Sequence, residues 1–253
     1  MGNLFQRQHK VGTTAPTGHQ IPWSIELVDR VRQRFILTVI STTLLTGLFF
    51  VGYFCVQRHP AYAPTMMPQT GLDRIIPFQP QALLAYVSLW VYVGVGPGVQ
   101  RTVREFAVYG LWLCGLCLCG LSIFYLWPTQ VPSPLLSAIS FPGFGALHRV
   151  DETSNACPSM HVAVAIFTAV RVGGVLRSVR APLWLRSLNV IWCMAIVYST
   201  LAIKQHVVLD VIAGALVGLL FALMSLRWRP QTSREPGFAE LALPTEPASE
   251  YAP

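Results

Sequence analysis

Six apolar stretches, each close to 20 residues long, constrain the fold of this chain more than any other feature of its sequence. A helix needs about 20 apolar residues to cross the hydrocarbon core of a bilayer, because each residue advances the helix by about 1.5 Å. The sequence therefore predicts an all-α, polytopic membrane protein with six transmembrane helices. The predicted spans lie near residues 35–56, 81–100, 106–127, 160–176, 183–203 and 207–226.

The composition excludes most classes of soluble protein. Hydrophobic residues make up 53% of the chain and charged residues 11%, and the mean hydropathy is +0.51. Such values are typical of membrane proteins. The formal net charge of +7 does not indicate nucleic acid, because the basic residues form short clusters between apolar stretches and not one basic face. We therefore expect the chain to partner a membrane bilayer and no nucleic acid.

The distribution of lysine and arginine predicts the orientation of the spans. Fourteen of these residues flank one side of the predicted membrane and four flank the other. The positive-inside rule places the richer side, with both chain termini, in the cytoplasm. The prediction is an integral protein of a bacterial inner membrane, whose long loops 57–80 and 128–157 face the periplasm. We expect a cytoplasmic basic arm at 1–33, a six-helix membrane domain with the candidate site at 34–229, and a disordered cytoplasmic tail at 230–253.

Two polar motifs lie at the outward ends of apolar stretches. The first, Cys-Pro-Ser-Met-His at 157–161, opens the fourth predicted span. The second, at 199–210, joins the fifth and sixth spans and contains Ser199, His206 and Asp210. Ionisable side chains at the edge of hydrocarbon are energetically costly. These residues are therefore candidates for a functional site.

The spacing within each motif indicates its chemistry. Ser159 can cap the fourth span, and the backbone N–H groups at a helix N-terminus bind phosphate well. His206 and Asp210 are four residues apart, which places both on one helical face about 6 Å apart along the axis. A carboxylate beside an imidazole fixes its tautomer and makes the ring a better nucleophile or base. A single histidine at a helix end is more often an interfacial residue, so the hypothesis depends on the combination of both motifs on one membrane face.

These motifs resemble those of the type 2 phosphatidic acid phosphatase superfamily, which are Pro-Ser-x-His followed by Ser-Arg-x5-His-x3-Asp. Residues 158–161 match the first pattern, and residues 199–210 match the second apart from one position. The resemblance covers about residues 34–226 and implies phosphoryl transfer without a metal ion or a cofactor. It also implies that His206 attacks phosphorus, that Asp210 supports His206, and that His161 protonates the leaving alcohol.

The chain departs from the family pattern in two places. Thr200 stands where the family has arginine, and the motif Lys-x6-Arg-Pro has no clear copy. Phosphoryl transfer requires neutralisation of the charged phosphate oxygens, so other groups must supply it. Lys204 and Arg149 are the best-placed cations on the outward side, and Arg74 is a weaker third choice. The predicted phosphate-binding residues are Ser159, Lys204, Arg149 and Ser199.

The departures resemble the inositolphosphotransferase branch of the superfamily, which is related to inositol phosphorylceramide synthases. In that branch the arginine is also missing, and Ser-Thr is followed by Lys-Gln-His, as at 199–200 and 204–206 here. The resemblance implies transfer of a phosphorylated headgroup from one lipid to the hydroxyl of another. A phosphohistidine intermediate reacts with water or with an alcohol, so both a hydrolase and a transferase remain open.

The leading hypothesis is an integral membrane lipid phosphatase or phosphotransferase, which acts through a phosphohistidine on a membrane lipid at the outer membrane face. The alternative is a six-helix membrane transporter in which the histidines and Asp210 relay protons. Transporters usually hold such groups near the bilayer midplane and contain internal repeats. The sequence has neither feature, which favours the enzyme.

Overall fold

The computed structural model describes residues 22–132 and 155–228. Arg149, residues 1–21 of the predicted arm and the predicted tail at 230–253 lie outside the described residues. Two short strands, β1 (Thr65–Met66) and β2 (Thr129–Gln130), pair in parallel. The helices are α1 (Trp23–Arg58), α2 (Gly71–Ile75), a 3-10 helix (Pro80–Ala82), α3 (Leu83–Val87), α4 (Leu89–Gly98), α5 (Val103–Leu126), α6 (Met160–Ser178), α7 (Leu183–Ala202) and α8 (Val208–Arg227).

Five helices in the described part of the chain are long and apolar enough to cross a membrane, namely α1, α5, α6, α7 and α8. The prediction of long apolar helices is therefore confirmed for five of the six stretches. The stretch at 81–100 forms the 3-10 helix, α3 and the 10-residue α4 instead of one long helix. The junction is at Ser88, whose hydroxyl donates to the Ala85 carbonyl (2.7 Å). Helix α4 ends at Gly98, one residue after Pro97, because proline disrupts the hydrogen-bond pattern of a helix.

Helix α1 is longer than its predicted span. Its 36 residues correspond to about 54 Å, which exceeds the thickness of a bilayer core of about 30 Å. The predicted boundary between the arm and the membrane domain, at 33 and 34, falls inside this helix. Near its start, Arg34 donates to the carbonyls of Gln100 and Arg101, at 2.6 Å each. These bonds satisfy carbonyl groups just beyond the end of α4, so they join α1 to α4 at that end of the bundle.

Helix α6 is the centre of the bundle. It is the most buried of the five long helices, and it contacts α4, α5, α7 and α8. Its closest neighbour is α8, where Gly214 and Gly218 face the backbone of α6. A methyl group on either glycine would lie 2.3 Å from a carbonyl oxygen, that of Ser159 or that of Ala163. Small residues four apart allow two membrane helices to approach at backbone distance, which brings the two polar motifs together.

Polar side chains join α4 and α7 to this centre. The Tyr92 hydroxyl donates to Asn189 Oδ1 (2.8 Å), and Asn189 Nδ2 donates to the Ala169 carbonyl (3.0 Å). Trp192 Nε1 donates to the Ser88 hydroxyl (2.9 Å) at the junction of α3 and α4. Buried polar groups need such partners. The bonds hold the short helices α3 and α4 beside the start of α6.

Candidate active site

The first motif forms the beginning of α6. Ser159 is the N-cap residue, as its position predicts, and its hydroxyl oxygen accepts from Val162 N (3.4 Å). Its own backbone N–H donates to the Asp210 carbonyl oxygen (3.0 Å). This backbone bond links the first motif directly to the second. It places His161, in the first turn of α6, beside the start of α8.

The His161 ring is held by two aromatic residues from the divided stretch. Its ring stacks on Tyr86, with the centroids 4.1 Å apart and an interplanar angle of 24°. The Tyr86 hydroxyl lies 3.2 Å from His161 Nδ1, and Trp90 meets the ring edge-on at 6.0 Å. Sequence reasoning missed both aromatic residues. They lie inside an apolar stretch, where nothing distinguishes them from aromatic residues that face lipid.

The second motif places His206 in the turn between α7 and α8. Asp210 lies in the first turn of α8 and is fully buried. Its Oδ2 accepts from Val207 N (3.0 Å) and lies 3.6 Å from His206 Nδ1. Within the described residues, His206 Nδ1 and Asp210 Oδ1 have no hydrogen-bond partner. A carboxylate at this distance orients the imidazole, and such contacts often shorten when substrate binds.

The structure brings the two histidines side by side. The centroids of the His161 and His206 rings are 6.2 Å apart, with an interplanar angle of 55°. Both rings line one cavity of about 320 Å³. Two imidazoles at this separation can contact one bound group, with one ring as nucleophile or base and the other as proton donor.

The cavity extends from the histidines into the bundle. Its walls come from α1, α3, α4, α5 and α6 and are mainly apolar, with aromatic side chains that include Phe49, Phe50, Tyr53 and Phe124. On α1 the lining residues run from Ser41 to Tyr53, a rise of about 18 Å along the helix. An apolar cavity of this length with polar groups at one end fits an amphiphilic ligand.

The predicted hydroxyl ligands Ser159 and Ser199, and Thr200 at the position of the family's arginine, have local partners. Ser199 and Thr200 are fully buried in α7. Their hydroxyls donate to carbonyl oxygens one turn earlier, Ser199 to Ile196 (2.6 Å) and Thr200 to Val197 (2.8 Å). Ser159 is also fully buried, as the cap of α6. None of the three is among the residues that line the cavity.

Lys204 lies in the turn that carries His206 and is 7% exposed. Its ammonium group donates to the backbone carbonyls of Asp73 (2.8 Å) and Ile76. Burial lowers the pKa of Lys204, and the neighbouring Asp73 opposes that shift. Its φ of 61° is in the left-handed region, which a lysine rarely adopts. An ammonium group has three N–H donors, so one remains after these two bonds. The other predicted cation in the described chain, Arg74, is exposed.

Sequence reasoning also missed Asp73. This residue is 4% exposed and lies in α2, in the segment between α1 and α3. Oδ1 accepts from Val208 N (2.8 Å), and Oδ2 accepts from the backbone N–H and the hydroxyl of Thr70 (2.7 and 2.8 Å). Asp73 and Lys204 thus connect the segment that contains α2 to the turn that holds His206 and to the start of α8. A lone acidic residue within a loop of apolar and proline residues is the signal that could have identified it.

Asn155 is a fourth residue that sequence reasoning missed, after Tyr86, Trp90 and Asp73. It is 4% exposed and lines the cavity together with His161 and His206. Its Nδ2 has no hydrogen-bond partner within the described part of the chain. Its signal in the sequence is weak, because it lies two residues before Cys157 but belongs to no pattern that sequence reasoning used.

Comparison with known protein families identifies the superfamily of this chain. A search of curated protein sequences finds no significant match. The family model described as the PAP2 superfamily matches residues 41–234, which include both motifs and most of the helical bundle. This superfamily generally comprises phosphoric ester hydrolases. The match covers well over half of the sequence, and the chain belongs to the PAP2 superfamily.

Proposed function

We propose that this chain is an integral membrane lipid phosphatase or phosphotransferase that acts through a phosphohistidine at His206. One observation carries the proposal: His161 and the His206–Asp210 pair meet at the end of a long apolar cavity. The histidines lie at helix ends and not in the middle of the bundle. This position favours an enzyme at the membrane surface over a transporter with a midplane proton relay.

The first step is attack on phosphorus by His206. Its Nδ1 faces Asp210, so Nε2 is the nitrogen whose lone pair forms the new bond to phosphorus. The bond from phosphorus to the leaving oxygen breaks, and its electron pair stays on that oxygen. His161 transfers a proton to the oxygen, which leaves as an alcohol. The Asp210 carboxylate stabilises the positive charge that develops on the His206 ring.

The second step releases the phosphoryl group. A water molecule or a lipid hydroxyl attacks phosphorus, while the bond to His206 Nε2 breaks and its electron pair returns to the ring. His161, now without its proton, accepts the proton of the attacking hydroxyl. Water gives hydrolysis and an alcohol gives transfer. No step requires a metal ion or a cofactor.

The substrate class follows from the cavity. A phosphate group placed between the histidines leaves the rest of the substrate beside aromatic and aliphatic side chains of α1, α4 and α5. Burial of apolar chain there contributes about 25 cal/mol per Å². We therefore propose a membrane lipid that carries a phosphate or a phosphorylated headgroup. Because the Ser-Thr and Lys-Gln-His sequences resemble those of the inositolphosphotransferases, we propose that branch of the superfamily.

The proposed arrangement in the membrane has six spans. Backbone bonds from Ser88 N to the Leu84 carbonyl (3.1 Å) and from Tyr92 N to the Ser88 carbonyl (3.0 Å) continue across the junction of α3 and α4. The segment from Pro80 to Gly98 therefore completes the bundle as a divided sixth span. Both termini lie in the cytoplasm and the site faces the periplasm of a bacterial inner membrane. Lys204 supplies positive charge to the bound phosphate, with Arg149, Ser159 and Ser199 as the other proposed contacts.

The test uses the purified protein in detergent with labelled phosphatidic acid, prenyl pyrophosphate and phosphatidylinositol. Each is supplied with and without diacylglycerol or ceramide as acceptor. The wild type is expected to turn over at least one of them, and His206→Ala to lose both turnover and the acid-labile phosphoenzyme. His161→Ala should lower the rate of turnover least for substrates with good leaving groups, since a good leaving group needs less protonation by a general acid. His59→Ala removes an exposed histidine at the outer end of α1 and serves as the control. Turnover by His206→Ala would refute the mechanism.

A further inference from the structure

Transfer of a phosphoryl group needs hydrogen-bond donors aimed at its non-bridging oxygens, where negative charge is concentrated. This chain lacks the arginine that the family pattern has at position 200. The hydroxyls of Ser199 and Thr200 donate to carbonyls of their own helix, and Lys204 has two carbonyl partners. The site therefore needs a further donor.

We infer that Asn155 is that donor, and that its side-chain amide binds a non-bridging oxygen of the phosphoryl group held between His161 and His206. The inference rests on the proposed function. Asn155 lines the cavity that both histidines line. Its side chain is more than nine-tenths buried, and Nδ2 has no hydrogen-bond partner among residues 22–132 and 155–228. Leaving a buried amide unpaired is energetically unfavourable, and a bound phosphate oxygen removes that penalty.

Hydrogen bonds on the residues after Asn155 hold its backbone in place. The next two residues bond to Thr129 of β2, through Ala156 N to the Thr129 carbonyl (3.2 Å) and Cys157 N to the Thr129 hydroxyl (2.8 Å). Asn155 itself has a φ of 64°, a left-handed conformation that asparagine adopts more readily than most residues. A donor held in place before the reaction needs no reorganisation when charge develops.

Gln205 provides a comparison within the same structure. It is also buried, and its Nε2 also has no hydrogen-bond partner among the residues that the structure describes. It does not line the cavity, however, whereas Asn155 does. Position, and not the unpaired amide alone, therefore distinguishes Asn155 as the group that contacts the phosphoryl oxygens.

The test compares Asn155→Gly and Asn155→Asp with the wild type. Glycine keeps the left-handed backbone and removes the amide, and aspartate keeps the shape but replaces a donor with a negative charge. The readouts are lipid turnover, the melting temperature in detergent, and binding of orthovanadate, a five-coordinate mimic of the transferring group. Gln79→Ala is the control, because its amide already has a partner in Tyr198.

Asn155→Gly is expected to lower kcat/KM and vanadate affinity by similar factors of about 10², since both depend on transition-state contacts. Asn155→Asp should lower kcat/KM and vanadate affinity by larger factors. The melting temperature of both variants should stay close to that of the wild type. Vanadate affinity equal to that of the wild type in Asn155→Gly would overturn the inference even if His206 is essential for turnover. Absence of His206-dependent turnover, with vanadate binding that still needs Asn155, would refute the proposed function alone. A wild type that does not bind vanadate would overturn the inference.

Discussion

The contact between α6 and α8 should control catalysis more than stability, and Gly214→Ala tests this. The added methyl group would lie 2.3 Å from the Ser159 carbonyl oxygen, whereas ordinary contacts begin at 3.4 Å. The two helices must therefore separate by about 1 Å at that point. The carbonyl belongs to backbone and not to a flexible side chain, so local adjustment cannot absorb the clash.

The separation acts directly on the site. His161 lies two residues after Ser159 on α6, and Asp210 lies one helical turn before Gly214 on α8. A misplacement of about 1 Å between reacting groups can cost about 10²-fold in rate. Overpacking lowers the free energy of unfolding by about 1–3 kcal/mol, and replacing glycine by alanine in a helix raises it by up to about 1 kcal/mol. We therefore expect kcat to fall about 10²-fold while most of the protein remains folded.

The assay measures kcat, KM and the melting temperature of Gly214→Ala in detergent. Gly47→Ala on α1 is the matched control, because a methyl group there meets nothing within 4 Å. Gly47→Ala raises the helix propensity of α1 without a steric clash, so this variant should retain the kcat of the wild type. If Gly214→Ala remained folded and kept kcat within about threefold of the control, the proposed sensitivity to helix separation would be wrong.

Three further predictions concern the chemistry, the positioning of the site and its orientation. Full activity is expected in the presence of a chelator, because no three His, Cys, Asp or Glu side chains in the described ranges form a metal-binding group; strict dependence on a divalent ion would contradict this. Asp73→Asn should lower kcat about tenfold or more with little change in KM, because the substitution weakens the bond from Val208 N that holds the turn before α8. Asp29 is exposed, and Asp29→Asn should leave kcat unchanged. An impermeant thiol reagent on intact cells should label a cysteine placed at Tyr62, which is 67% exposed, and should spare Cys157, where burial raises the pKa to about 11. Labelling of a cysteine placed in 230–253 would reverse the predicted topology.

The sequence predicts the parts of this fold that depend on local pattern. Five of the long helices follow from the length and hydropathy of their stretches. The cap at Ser159 and the approach of Asp210 to His206 follow from spacing within a few residues. The predicted placement of His206 and Asp210 on one helical face is wrong in detail, because His206 lies in the turn before α8. That turn, in which Val207 N donates to Asp210 Oδ2, is what brings the His206 ring to the carboxylate.

The remaining features depend on contacts between distant parts of the chain. The division of the stretch at 81–100 coincides with a bond from Trp192 to Ser88, which are 104 residues apart. Asp73 lies 135 residues before Val208, to which it bonds. Periodicity and propensity are local quantities, so neither contact has a signal in its own segment. Both were found only when the structure placed the two segments together.

Thr200, which stands where the family pattern has arginine, is packed inside the helical bundle. Thr200 is fully buried, and its carbonyl oxygen accepts from Gln205 N (3.1 Å) and His206 N (3.2 Å). The residue therefore shapes the turn that carries His206, in a position where an arginine side chain would have to be buried or to displace its neighbours. Burial of an unpaired guanidinium is very costly. The proposed phosphate-binding groups therefore come from other positions, namely Asn155, which lines the cavity, and Lys204, which does not.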